Sequence, residues 1–459
     1  MSRANYALSI AVVLALLAPA IWNGYPILQY DTGGYLARWY EGYLVPSRST
    51  AYGIYLHLGE TSHFIFNLVL QAVAVVWIVR ATLRALGIVN VGHIALVFGC
   101  LCAATALPIL TSMLLTDVFA GLAVLSLLLL VAYRTRFSGI EQFIMFLFTS
   151  FAISTHSATL GVLLGLCCSG WALHTVLPER LPKAGLALGS LTVIAGSMIL
   201  VVSNWALSGH LAWTPGGPSI LFGRMLQDGL VERYLDDHCP SEHLKLCAYK
   251  EVLPNTADEF LWARNSVFNY LGRFDGLGDE MAHIAWRSTV SYPAAQAAAA
   301  GRATAKQLFS VATGEGANTR LPHTYGIFEH YLSPELPSLR AARQQHGELD
   351  FRVMNDLHIP IAWLSILSTC AIFVYGLLIR LDDLKNHFDD ELTFLTGTVT
   401  IALIGNAFLC GVISGPHDRY GARMTWIATF ACAVAAVRWL LAGKRQPKQL
   451  IASEAATIA

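Results

Sequence analysis

The chain has 459 residues, a formal net charge of +0, 55% hydrophobic but only 13% charged residues, and a mean hydropathy of +0.52. A soluble chain carries roughly 25% charged residues, so this one has too little polar surface to cover a soluble globule of its length. Neutrality supplies no field toward nucleic acid, and the absence of a G-x-x-x-x-G-K-[ST] loop or dinucleotide fingerprint argues against an ATP-driven pump.

Apolar runs long enough to cross a hydrocarbon core of about 30 Å follow one another along the chain. They lie at Tyr6 to Trp22, Phe64 to Leu83, His93 to Leu110, Val118 to Tyr133, Phe143 to His156, Thr159 to Val176, Ala184 to Ala206, Ile359 to Leu378, Phe394 to Ile413 and Trp426 to Leu441. The fold expected is all-α: a polytopic transmembrane bundle of about ten helices with a mostly helical periplasmic cap. It divides into an N-terminal bundle over 1–206 with a first outside loop at 23–63, a large outside loop at 207–358, and C-terminal helices over 359–459. Arg3 ahead of the first run and the Ala-Pro-Ala within it also allow a cleaved signal peptide. The apolar core is longer than the usual signal core of about 7 to 15 residues, which favours a retained helix.

Basic residues gather on the cytoplasmic side of short loops. Arg3, Arg80, Arg84, Arg134, Arg136, Arg180, Lys183, Arg380, Lys385, Arg438, Lys444, Arg445 and Lys448 all fall on alternate connections, whereas Thr111 to Asp117 and Thr155 to Ser157 carry none. The pattern predicts a multi-pass inner-membrane protein with both termini cytoplasmic, the lipid bilayer as its partner and any chemistry on the outer face.

The outside segments have structure of their own. Gly33 to Tyr40 reads as a short interfacial helix, either an aromatic belt or a platform from which Arg38 reaches phosphates. In the large loop, Pro215 to Pro218 forms turns, Ile220 to Leu235 and Met281 to Val311 carry helical periodicity, and Arg320 to Pro337 is broken by prolines into a loop. Seven of the nine cysteines lie in apolar helices as small fillers. Cys239 and Cys247, isolated in the outside loop, read as a disulfide; zinc shared with His238 and His243 is the alternative.

Three polar clusters share the outer level. Asp31 follows the first helix, with Tyr35 and Arg48 beyond it; its carboxylate either caps the next helix or takes a proton from a hydroxyl nucleophile. Asp117 opens the fourth helix and His156 closes the fifth; each is a cap or structural group, or a functional one because ionisable residues at membrane depth are costly. His417, Asp418, Arg419, Tyr420 and Arg423 fill the last outside turn, where two arginines run against the basic-inside pattern. A phosphate explains that placement; an Asp418–Arg423 ion pair is the alternative.

Taken together, Asp31 to Tyr35, Arg48 to Gly53, Thr116-Asp117 and Arg419-Tyr420 resemble the GT-C class of polytopic membrane glycosyltransferases, although Asp31 stands between Tyr30 and Thr32 instead of in an acidic pair. The resemblance covers the helical scaffold and not the large loop. It implies a polyprenyl-phosphate-linked sugar as donor and a hydroxyl acceptor on a glycan, lipid or protein, with Asp31 as base. Arg419, with Arg48 or Arg423, would stabilise the leaving phosphate, and Asp117 and His156 would orient the sugar or hold a divalent ion. A transporter or flippase, and a non-catalytic partner of other envelope-assembly proteins, are the rival classes; transporters place polar residues on broken helices at the bilayer midplane, where this sequence is apolar.

Overall fold

The computed structural model describes residues 2–42, 47–176, 178–179, 181–213, 216–317, 321–381 and 390–443. Pro46, Arg180, Pro215, Arg320, Lys385, Lys444, Arg445 and Lys448 lie outside them. The described residues are helical almost throughout, with one isolated parallel bridge between Ile27 and Met113.

In the N-terminal part the helices are α1 (Arg3–Asn23), α2 (Thr32–Glu41), α3 (Thr50–His57), α4 (Ile65–Ala85), α5 (Val91–Ala104), α6 (Leu107–Ser112), α7 (Asp117–Ala132), α8 (Gly139–Thr155), α9 (Ser157–His174) and α10 (Lys183–Ser208). The large loop supplies α11 (Gly217–Gln227), α12 (Leu230–His238), α13 (Ala257–Trp262), α14 (Val267–Tyr270), α15 (Arg273–Ser291), α16 (Pro293–Phe309), α17 (Pro322–Tyr331) and α18 (Leu336–Ala341). The chain then returns through α19 (Arg352–Leu381), α20 (Asp390–Ile413) and α21 (Asp418–Gly443). Seven helices are long and apolar enough to cross a membrane: α1, α4, α9, α10, α19, α20 and α21. Three shorter apolar helices, α5, α7 and α8, accompany them, so the chain is a multi-pass helical membrane protein.

Where sequence and structure differ, local chemistry explains it. The run from His93 to Leu110 is two helices, because Pro108 has no N–H to continue the ladder and favours a first turn. Thr105 adopts extended backbone at the break, and its hydroxyl donates to the Leu101 carbonyl and accepts from Leu107 N–H. The same rule converts the expected loop at Arg320 to Pro337 into α17 and α18, whose prolines stand at first-turn positions. The expected helix at Ile220 to Leu235 breaks at Gly229, which has φ +75°, and that at Met281 to Val311 breaks before Pro293.

α7 is apolar on every side and buried from Asp117 to Val131, the pattern of a central helix. It begins in the polar cluster and ends beside Arg134 and Arg136, where Glu391 receives both Arg136 and Arg438. The large loop is divided between two cores. Residues such as Phe222, Tyr234, Phe260, Phe268 and Met281 form one of their own, which the Cys239–Cys247 disulfide borders, with Cα atoms 5.6 Å apart. Leu321, Ile327, Phe328, Leu332 and Leu339 instead join the core of the bundle.

Candidate active site

The segment between α1 and α2 is held from three directions. Ile27 N–H donates to the Ser112 carbonyl and Leu114 N–H to the Ile27 carbonyl, so this segment and the one leading to Asp117 run side by side. Gln344, buried, donates its Nε2 to the Leu28 carbonyl at 2.6 Å and accepts from Leu28 N–H at 3.0 Å. Tyr30 N–H donates to the Gly316 carbonyl. Buried backbone groups need such partners, and each partner here also fixes the position of Asp31.

Asp31 occupies the N-cap position of α2, yet its side chain makes no capping hydrogen bond. The carboxylate is buried and faces two guanidinium groups: Oδ1 ion-pairs with Arg48 Nη2, and Oδ2 accepts from Arg419 Nη1 at 2.7 Å. Two glycines admit these neighbours. A Cβ on Gly33 would stand 2.6 Å from the Cα of Thr324, and one on Gly34 would stand 3.1 Å from Arg48 Nε. Arg48 is aimed by the start of α3, where Ser49 caps the helix through Tyr52 N–H and donates to the Ser154 carbonyl. Burial pushes the Asp31 carboxyl up, but Arg48 and Arg419 outweigh it and hold it below the usual carboxylate range.

Glu315, from the large loop, completes this layer. It accepts from Arg419 N–H at 2.9 Å and from His417 Nδ1 at 2.7 Å. The hydrogen bond to Glu315 raises the His417 imidazole above its ordinary value despite burial. Arg419 also lies over the rings of Tyr420, at 4.9 Å, and Tyr30, at 5.9 Å.

One turn deeper on α21, Arg423 forms a second layer, because residues i and i+4 share a helix face. Arg423 Nη1 lies 3.7 Å from Asp117 Oδ1, Nη2 donates to Asn406 Oδ1 at 2.7 Å, and Nη1 approaches His156 Nδ1 at 3.4 Å. His156 Nδ1 also accepts from Ala158 N–H, which leaves the proton of the neutral ring on Nε2. Both Asp117 oxygens are buried without a hydrogen bond.

The structure thus joins Asp31, Arg48 and Arg419 directly and sets Asp117, His156 and Arg423 beneath them. Some expectations are corrected. Asp31 and Arg419 touch instead of flanking a sugar-sized gap, and Arg48, with 18% side-chain exposure against 9% for Arg419, is nearer the opening. Asp418 does not pair with Arg423 but accepts from Ala312 N–H at 3.2 Å. Arg38 is buried and donates to Asn204 Oδ1, so it does not reach outward for phosphate. Tyr35 is buried edge-on against Tyr52, with Arg48 above its ring; it supports Arg48. No group of three or more His, Cys, Asp or Glu side chains fit for a metal converges among the described residues. Arg423 beside Asp117 supplies the compensating charge itself, so the donor set there does not fit a divalent ion. Glu315 and Gln344 were not anticipated; an acid between two glycines was the sole local signal for the first. Comparison with family models, with curated proteins and with solved structures finds no match for this chain.

Proposed function

We propose that this chain is a GT-C-type membrane glycosyltransferase, moving a sugar from a polyprenyl-phosphate donor to a hydroxyl acceptor at the periplasmic face of an inner membrane. One observation carries the reading: a buried carboxylate, Asp31, held between two guanidinium groups, Arg48 and Arg419, at one end of the bundle. Guanidinium pairs bind phosphate in bidentate fashion, and a carboxylate beside them is placed to receive a proton. Counted with α5, α7 and α8 the crossings number ten, an even number that supports both termini on one side, and Arg84, Arg136 and Arg438 support that side as the cytoplasmic one.

The ion pairs support an order of events. The donor phosphate arrives at Arg48 and Arg419 and takes their N–H groups, so Asp31 loses the charges that hold its pKa down. A buried carboxylate without them becomes a stronger base. Asp31 then removes the acceptor hydroxyl proton as the acceptor oxygen bonds to the anomeric carbon. The bond from that carbon to the phosphate oxygen breaks, and the lipid phosphate leaves with the negative charge, which the two arginines stabilise.

The test is transfer of radiolabelled sugar from synthetic polyprenyl-phosphate sugars in proteoliposomes. Incorporation that disappears in Asp31→Asn supports the reading. Sugar that crosses the bilayer unchanged, at equal rate in Asp31→Asn, would assign the protein to transport.

A further inference from the structure

Beside the buried layer lies an open cleft of about 470 Å³ between the end of α2 and the outer face of α17, within the range of about 300 to 1,000 Å³ typical of small-ligand sites. Its wall is mixed: Glu41, His323, His330 and the Tyr331 hydroxyl are polar, and Pro322, Ile327 and the Tyr331 ring are apolar. Tyr331 stacks flat on Tyr40 with ring centroids 4.8 Å apart, its hydroxyl points at Glu41, and His330 stands edge-on to it at 4.4 Å. Gly326 is an exposed lining residue, and a Cβ built there meets nothing within 4 Å.

The cleft is tied to the site. His323 lies within electrostatic reach of Glu41, Arg48 and Asp31. The next residue, Thr324, accepts from Gly33 N–H, two positions beyond Asp31. Arg48, the more exposed partner of Asp31, lies against Gly34, next to Gly33. A carboxylate that accepts, imidazoles that donate and accept, and a flat aromatic pair match a molecule carrying many hydroxyls on a partly apolar ring. An apolar lipid tail would strand these polar groups.

We propose that the cleft over Gly326 is the acceptor subsite and that its ligand is a saccharide, which deepens the glycosyltransferase reading and rests on it. The saccharide lies across the Tyr331 ring with hydroxyls on Glu41, His323 and His330, and its reacting hydroxyl passes Arg48 to Asp31.

Two experiments on the full-length protein decide it. A photoreactive benzoylphenylalanine at position 326, irradiated in intact cells, should give saccharide adducts on the α17 peptide at least tenfold above the same probe at Gly301, an exposed position on α16. Adducts to lipid or protein only, or none above that control, overturn the proposal. A Cβ at 326 meets no neighbour, so Gly326→Phe directs its ring into the cleft: transfer to membrane acceptors should fall at least tenfold while retention of polyprenyl phosphate on proteoliposomes stays within twofold of wild type. Unchanged transfer overturns the cleft and leaves the glycosyltransferase reading intact. No transfer by wild type, with saccharide adducts still formed at 326, overturns that reading and keeps the cleft as a saccharide site.

Discussion

Arg419 donates to Asp31 across 388 positions of sequence, Nη1 to Oδ2, at 2.7 Å. The contact closes the bundle at one end, since Asp31 follows α1 and Arg419 lies in the first turn of α21. Removing a buried ion's partner leaves an uncompensated charge, so the two residues have different mutational consequences.

Asp31→Asn keeps the shape and removes the proposed base. Transfer should fall by about 10² to 10⁴, the usual worth of a positioned proton acceptor, with retention of polyprenyl phosphate maintained or improved because both arginines are released. Arg419→Ala should weaken retention as well as turnover. Steady-state kinetics beside a lipid-phosphate binding assay check the pair, and full turnover in Asp31→Asn would remove the mechanism.

The pH dependence follows from the Glu315–His417 pair. His417 has a raised pKa, so its contribution is complete below the ordinary imidazole value and is lost as the pH rises through the raised one. Burial raises Glu315, but His417 and the Arg419 N–H outweigh it and leave its pKa low. Its contribution is present above the ordinary carboxylate value and is lost as the pH falls through the lowered one. Transfer should therefore hold a plateau between about 4.3 and about 6.5. Glu315→Gln should move the alkaline limb to lower pH, and an unmoved limb in the pH–rate profile would refute the assignment.

Gln344 gives a prediction about positioning. Gln344→Ala strands the Leu28 N–H and carbonyl, each of which it satisfies, so stability should drop by about 1 to 3 kcal/mol. Activity should fall further than thermal melting of the remaining protein explains, because the segment bearing Asp31 loses its support. A melting curve and a specific activity that change in proportion would reduce Gln344 to a stability role.

The Cys239–Cys247 disulfide closes a short loop, with a separation of 8 in sequence. On the chain-entropy account it contributes about 2 to 3 kcal/mol. Changing both residues to serine should lower the melting temperature while leaving transfer by the folded protein near wild type, since the bond borders the second core and not the Asp31 layer. Peptide mapping without reductant should recover the linked pair; two free thiols would contradict it.

Seven of the helical spans were legible because hydrocarbon thickness dictates their length and water rejects their side chains. Asp31, Arg48 and Arg419 were legible because charge at the edge of a membrane is costly and needs a reason. Glu315 and Gln344 were not, because they act on backbone groups supplied by distant segments and carry no periodicity. The prolines of α17 and α18 misled for a related reason: a proline ends a helix or begins one, and neighbours decide which. Asp31 as a capping residue failed on geometry alone, since the position is a cap while the carboxylate faces elsewhere.

The direct bond between the first polar segment and the last helix also has a consequence for biogenesis. During membrane insertion Asp31 emerges first, and its partner Arg419 is synthesised only after eight more of the ten apolar helices. Until then Asp31 has Arg48 alone, and Asp117 waits for Arg423 on the same late helix. The nascent chain therefore holds both layers incomplete throughout its assembly, and the insertion of α21 completes them in one step, adding Arg419 to the Asp31–Arg48 pair and Arg423 to Asp117. A chain that ended before residue 418 would leave Asp31 with Arg48 alone and Asp117 without its cation.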